Sequence, residues 1–243
     1  MYIVKEHITQ WRRRLIQHEF FSRLQPDPSL DRALAFAPGL TFWVMTFQDV
    51  LRLNAQLAQA PEVRSHLEQH VLEDAGHDQW FLEDLNVIFG DRHRDITWLF
   101  GPENVTTRHA AFALVSEVFR VNDDSLRLVL VEAIEAVFQV FFHPIVRYLK
   151  ESGHDGRLKY FSSTHLAVEA NHEMFNADVE HPEFEIELSE QVRHEGLLLV
   201  DRVFNAFVQM ADGLLPIMEK TERQWEAPAC DYRLKKQLIA THH

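Results

Sequence analysis

The chain has 243 residues, of which 46% are hydrophobic and 25% are charged, a composition typical of a soluble globular protein. Its formal net charge of −13 and the lack of a long Lys/Arg run argue against a nucleic-acid partner. The lone Cys230 excludes an intrachain disulfide and a cysteine-based metal site, and it fits a cytoplasmic protein. We also expect no signal peptide and no membrane-spanning segment, because charged residues interrupt every long apolar window.

The small numbers of Gly and Pro residues, 8 and 9, favour helices over a turn-rich sheet protein. Residues 90–104 are predicted to form a loop, and the tail from about 228 is left unassigned. In chain order, apolar spacing and helix-breaking residues predict helices over 3–24, a short segment ending at Phe36, 40–59, 61–89, 106–121, 125–150, 157–178 and 188–222. The prediction is therefore one all-α domain over 1–243, with seven to eight helices and no strand.

Two of the predicted helices carry the same pattern of potential metal ligands. The strings HVLEDAGH at 70–77 and HLAVEANH at 165–172 both read His, three residues, acid, two residues, His. Each helical residue turns about 100°, so steps of four and seven leave side chains only about 40° and 20° apart. Each string is thus predicted to present one stripe of ligands, namely His70, Asp74 and His77 in the first and His165, Glu169 and His172 in the second. Imidazole and carboxylate groups are the ligands of Fe, Mn and Zn.

One such stripe alone is often a set of surface ion pairs. Apolar neighbours such as Trp80 and Phe81 in the first helix, and Phe161 and Leu166 in the second, indicate that both helices are partly buried. A buried His–acid–His stripe without a metal needs another full set of hydrogen-bond partners, because unpaired buried polar groups are costly. Two facing stripes would surround a metal site, whereas two separate ones would be hydrogen-bond networks.

Further candidates lie in two strongly apolar helices. Glu132 and Glu135 interrupt the run LRLVLVEAIEAVFQVFF, where acids are rarely buried unless they are paired or bound to metal. At least one of them is expected to act at the site. Asp49, in FWVMTFQDVLR, has an ion pair with Arg52 as its plain alternative. The same helix is apolar on most sides, so it is also expected to supply the wall of a substrate pocket through Phe42, Met45 and Phe47.

At this point the sequence resembles a known group of proteins. The strings EDAGHDQWFLEDL and HLAVEANH, with LVEAIEAVFQVFF between them, are similar to the ligand helices of the haem-oxygenase-like diiron oxidases. Thiaminase-II-like proteins and the pyrroloquinoline-quinone biosynthesis protein C share that fold. The resemblance covers roughly 5–220 and implies metal ligands at the positions His77, Glu132, His165, Glu169 and His172. Where the family has a further Glu, this chain has His70 two turns before His77, or Asp74 one turn before it.

The resemblance implies a haem-oxygenase-like helical bundle and a non-haem di-metal oxidase that uses O₂ on a small organic substrate. Two iron ions are the expected cofactor, with manganese or a single metal as alternatives, and no haem is expected. A homodimer is the default assembly. A metal-free enzyme of cofactor metabolism on the same fold and a non-catalytic helical binding protein are the other hypotheses. Cys230, in APACDY, has no neighbouring base, which argues against a nucleophilic cysteine.

Overall fold

The computed structural model describes residues 1–90, 96–154, 156–170 and 187–219, and these residues form helices and connections without a strand. The all-α class is therefore confirmed for the described part of the chain. Its α-helices are α1 (Tyr2–Leu15), α2 (Glu19–Ser22), α3 (Leu30–Ala33), α4 (Thr41–Leu57), α5 (Pro61–Glu73), α6 (His77–Phe89), α7 (Ile96–Leu99), α8 (Val105–Arg120), α9 (Asp124–Glu151), α10 (Ser163–Ala170) and α11 (Glu190–Met218). Two 3-10 helices, Ala37–Leu40 and Pro102–Asn104, lie before α4 and α8.

The core is built around the two longest helices, α9 and α11, which pack against each other. α11 also packs against α1 and α8, while α4 packs against α5, α6, α8 and α9. The apolar residues of α9 are buried on most of its circumference, which explains the near-continuous apolar run in its sequence. By length and composition α9 is apolar enough to cross a membrane, but 72% of its most apolar window is buried inside the bundle.

Several predicted boundaries agree with the structure to within a few residues. Pro61 occupies the first position of α5, where a missing N–H costs nothing. The carboxylate of Asp123 accepts a hydrogen bond from the backbone N–H of Ser125 and caps α9. The predicted helix over 3–24 is wrong as one element, because the chain turns between α1 and α2. The predicted loop 90–104 is corrected too, since it contains α7 and a 3-10 helix.

The most consequential correction concerns the first motif. The predicted helix 61–89 is two helices, α5 and α6, separated by the turn Asp74–Gly76. Gly76 has φ of +97°, the left-handed region that a residue without Cβ enters at little cost, and it directly precedes α6. His77 therefore starts a new helix instead of continuing the stripe of His70. The three polar side chains of the motif are nevertheless all buried.

Candidate metal centre

Two helices from different parts of the chain, α6 and α10, each bring a histidine to the same carboxylate, that of Glu169. His77 is the first residue of α6 and His165 lies in α10, and their rings are 4.3 Å apart between centroids. Oε1 of Glu169 lies 3.0 Å from Nδ1 of His77 and 3.1 Å from Nε2 of His165. The three side chains are buried and offer ligand atoms that all lie within 4.8 Å of one another. The two motifs therefore converge at these three residues.

The hydrogen bonds of His165 fix which of its nitrogens faces the carboxylate. Its Nδ1 lies 2.7 Å from the backbone carbonyl oxygen of Tyr160, and a carbonyl can only accept. Nδ1 therefore carries the proton, and Nε2 of the neutral ring would direct a lone pair at Oε1 of Glu169. That contact is favourable only if a proton or a cation lies between the two atoms. A metal ion resolves the conflict, because it binds both lone pairs at once.

Asp74 supports the same group from the turn before α6. Its Oδ1 lies 2.8 Å from Nδ1 of His77, so that this nitrogen faces two carboxylates, those of Asp74 and Glu169. Its other oxygen accepts a hydrogen bond from the amide nitrogen of Gln48 on α4. The separations of 2.8 to 3.1 Å also suit a metal, because donors held at about 2.1 Å from one ion in an octahedron are about 3.0 Å apart. Distances alone thus fit either hydrogen bonds or ligation.

A second acid–histidine pair lies beside the first group. His70, on α5, is 1% exposed, and its Nε2 is 2.9 Å from Oε1 of Glu135 on α9. Asp74 and Glu169 are close enough to act on this pair electrostatically. The described residues therefore gather three imidazoles and three carboxylates in one buried region. A second cation near His70 and Glu135 would find nitrogen and oxygen donors already in place.

The charges in this region shift the pKa values of its members. Burial is the largest single effect on His77 and lowers its pKa, but hydrogen bonds and charge from Asp74 and Glu169 outweigh it and raise the pKa to about 9. Burial likewise lowers the pKa of His70, but Glu135 and the other nearby carboxylates together outweigh it, so the net shift is upward. Burial raises the pKa of the Glu135 carboxyl. The raised pKa values of His70 and His77 thus favour their protonated forms, which offset negative charge from the neighbouring carboxylates.

The turn before α10 is held in place by one buried carboxylate of α6. Asp84 is 1% exposed, and its two oxygens accept the backbone N–H groups of Lys159 at 2.8 Å and Phe161 at 2.9 Å. Between these two residues lies Tyr160, whose carbonyl orients His165. Asp84 thereby joins the backbone that positions the second histidine to the helix that carries the first. Burial raises the pKa of Asp84, against the effect of these hydrogen bonds.

A narrow cavity adjoins the histidines. Its apolar wall is formed by Trp43, Val44 and Phe47 of α4 and by Phe138 of α9, and Gln48 and Asp78 are among its polar residues. His77 and His165 also face it. The free space at its centre is close to that of one water molecule or metal ion. Any larger ligand therefore requires half-buried rings such as Phe47 and Phe138 to turn aside.

Two of the predicted metal ligands, Glu132 and His172, need correction or remain open. Glu132 is not part of the cluster; it lies 3.9 Å from Lys5 of α1, whereas Glu135, one turn further along α9, faces His70. The two positions are about 60° apart around the helix, which is enough to point them at different neighbours. His172 lies outside the described residues, so its role as a ligand stays a prediction.

Of the three residues predicted to form the wall of a substrate pocket, Phe47 lines this cavity. Phe42 packs edge-to-face against Phe100, with ring centroids 5.2 Å apart, and neither it nor Met45 lines the cavity. Asp49 is exposed and lies 3.8 Å from Arg52, so it forms the ion pair that was the alternative to a role at the site. Sequence analysis missed Gln48, which lines the cavity and donates a hydrogen bond to Asp74. It is a single uncharged polar residue in an apolar run, so neither charge nor spacing indicated a role for it.

A scan against protein-family models and a search of curated proteins gave no match to this sequence. The functional argument therefore rests on the residues of the cluster and on their geometry.

Proposed function

We propose that this protein is a non-haem di-iron oxidase that acts with O₂ on a small organic substrate. The observation that supports it best is the group of His77, His165 and Glu169, two imidazoles and one carboxylate converging in a buried site. Two histidines and one carboxylate are the ligand set typical of non-haem Fe(II) oxygenases. The proposal also follows the resemblance to the haem-oxygenase-like diiron oxidases, with Glu135 in the place assigned to Glu132.

A second ion is proposed because one ion leaves part of the cluster unexplained. His70 and Glu135 form a pair 2.9 Å apart, with Asp74 and Glu169 nearby. One divalent ion cannot balance the charge of three neighbouring carboxylates without added protons, whereas two ions can. Carboxylates also suit such a site because each supplies oxygen donors and negative charge. Glu169, which contacts both His77 and His165, would be a central ligand of the site.

In this proposal the chain itself performs three tasks. The Tyr160 carbonyl keeps the proton of His165 on Nδ1, so that Nε2 offers its lone pair to the site. The rings of Phe138 and Phe142, with centroids 5.6 and 5.0 Å from that of His165, exclude water from this ligand. Gln48 holds the carboxylate of Asp74 in position beside His77. Bound iron would supply the redox chemistry that activates O₂.

A metal-free enzyme on the same fold is the second candidate. It is favoured by the fact that the cluster already forms close acid–histidine pairs, His77 with Asp74 and His70 with Glu135. The raised pKa of His77, about 9, would keep a balancing proton there at neutral pH. In that case the histidines and carboxylates would act as proton donors and acceptors.

Metal analysis separates the two candidates. The chain should be produced with added iron, and iron per chain and O₂ consumption should be measured on the same preparation. We expect close to two irons per chain and O₂ uptake in the presence of a reductant. A value near one would support a mononuclear site instead, and a metal-free, inactive preparation under these conditions would contradict the oxidase proposal.

A further inference from the structure

The amide oxygen of Gln48 is a buried acceptor that has no hydrogen-bond partner among the described residues. Gln48 is 4% exposed, lines the cavity, and uses its amide nitrogen to donate to Asp74. An acceptor left unpaired in a buried position has lost its hydrogen bonds to water without replacement, which costs free energy. A partner supplied by a bound molecule would remove this cost. The atom is covered in the ligand-free structure, so the donor reaches it when the neighbouring rings turn aside.

The orientation of the Gln48 amide follows from Asp74. One oxygen of Asp74 is engaged by His77 at 2.8 Å, and the other is next to the side chain of Gln48. A carboxylate can only accept, so the NH₂ group of the amide faces it and the carbonyl oxygen faces away. The group that is left without a partner is therefore an acceptor, and its ligand must be a donor.

The charged residues that line the cavity favour a cationic ligand over an anionic one. The described residues that line the cavity include the carboxylates of Asp74 and Asp78 but no Lys or Arg. An anionic ligand would meet acids there, and the protonated imidazole in the lining, His77, is already held between Asp74 and Glu169, so an added anion is unfavourable in this buried site. A cationic ligand would meet acids and the faces of aromatic rings. Trp43 and Phe47, with centroids 5.6 Å apart, provide such faces, which attract cations.

We propose that this cavity binds the amine end of a small apolar molecule, with Oε1 of Gln48 accepting a hydrogen bond from the ammonium group. The apolar wall of Val44, Phe47 and Phe138 would contact the hydrocarbon part. This inference rests on the proposed function in one respect: the bound amine would be the substrate of the oxidase. The binding itself can be tested without turnover.

Three probes of equal chain length distinguish the ligand classes: n-butylamine, butyrate and methyl propyl ether, which has no donor. Their affinities for the purified wild-type protein are measured by isothermal titration calorimetry near neutral pH. We expect butylamine to bind at least about tenfold more tightly than either other probe, because it alone offers Gln48 a charged donor and hydrogen bonds to charged groups are the stronger ones. Butyrate binding as tightly as butylamine, or no binding of butylamine, would overturn the proposal.

The residue assignment is tested with the variant Gln48→Met and the matched control Gln69→Met. Gln69 is exposed on α5, pairs with Glu73, and lies outside the cavity. The readout is the ratio of butylamine to ether affinity, because a general loosening of the pocket lowers both affinities together. We expect this ratio to fall about tenfold in Gln48→Met and to stay unchanged in the control. An unchanged ratio in a folded Gln48→Met protein would overturn the role of Gln48.

The same samples separate this inference from the oxidase proposal. If the protein binds iron and consumes O₂ but prefers butyrate, the oxidase proposal stands and the amine-binding proposal is overturned. Loss of butyrate binding in His165→Ala would strengthen that conclusion. Protein that binds no iron but binds butylamine through Gln48 would retain the amine site and overturn the oxidase.

Discussion

The two copies of the His–acid–His pattern have identical spacing but different backbones. In the second copy, His165 and Glu169 are one helical turn apart on α10, and their side chains are in direct contact at 3.1 Å. In the first copy the helix ends at Glu73, and His77 begins another helix after Gly76. Within the described residues, the acid and the histidine in contact belong to one regular helix in the second copy and flank a helix break in the first. Spacing in sequence therefore identified the candidate ligands but not the geometry that brings them together.

The largest effect is expected from replacing His165, which shares α10 with Glu169. His165→Ala removes an imidazole that contacts Glu169 and faces His77, and we expect metal affinity to fall about a hundredfold or more. The helical circular dichroism should be largely retained. His194→Ala, an exposed position on α11, is the control and should keep its metal. Full metal occupancy in His165→Ala would show that α10 is not a ligand helix.

The histidine after the break should make metal binding depend on pH. In the metal-free protein the pKa of His77 is raised to about 9 from an ordinary 6.5. A metal must displace that proton, so apparent affinity should rise up to about tenfold per pH unit between pH 7 and 9. Competition with a chelator, using Zn²⁺ or Co²⁺, measures this slope. A flat profile would indicate that His77 is not a ligand.

The same shift predicts the opposite trend for the stability of the metal-free protein. Because the folded-state pKa is raised, the protonated form of His77 is the stabilising one. Its contribution is fully present below about pH 6.5 and is lost as the pH rises through 9, by up to about 3 kcal/mol. Denaturant unfolding of chelator-treated protein at several pH values measures the trend. Stability that increases over this range would contradict the assignment.

The two glutamates of α9 provide a matched pair. Glu135→Gln removes the carboxylate that contacts His70, and we expect about a tenfold loss of affinity, concentrated in the second metal. Glu132→Gln removes only a partly exposed partner of Lys5, and metal content should stay within error. Metal titration of both variants decides the assignment, and the reverse order of effects would restore Glu132 as the ligand.

A smaller effect is expected from the break itself. Gly76→Ala places a Cβ in open space but at φ of +97°, which should cost about 1–2 kcal/mol of stability and shift His77 enough to weaken metal binding a few-fold. Gly153→Ala has the same open surroundings and a φ of +75°, and the described contacts place it outside the cluster. It should lose similar stability with unchanged affinity. Equal affinities in the two variants would show that the turn does not set the position of His77.

The sequence was informative where one local pattern decides the structure. The ends of α4, α9 and α11 follow from apolar spacing and breakers, and the buried candidate ligands follow from a repeated pattern of acids and histidines. The choice between Glu132 and Glu135 does not follow, because both interrupt the same apolar run. It depends on whether α1 brings Lys5 or α5 brings His70 to that side of α9. Such choices are made by packing between distant helices, which one sequence does not encode locally.

The two hydrogen bonds that Asp84 accepts from the backbone before α10 have a consequence for the order of folding. They join α6 to backbone groups 75 and 77 residues later, and closing a loop of that length costs on the order of 4 kcal/mol of chain entropy. We therefore expect these contacts to form late, after the intervening α8 and α9 have packed. On this expectation His77 and His165 meet only in a nearly native chain, and a metal ion would enter a finished fold instead of nucleating it. The refolding rate measured by stopped-flow circular dichroism should accordingly be the same with and without Fe(II), and acceleration by the metal would show that the two histidines meet early.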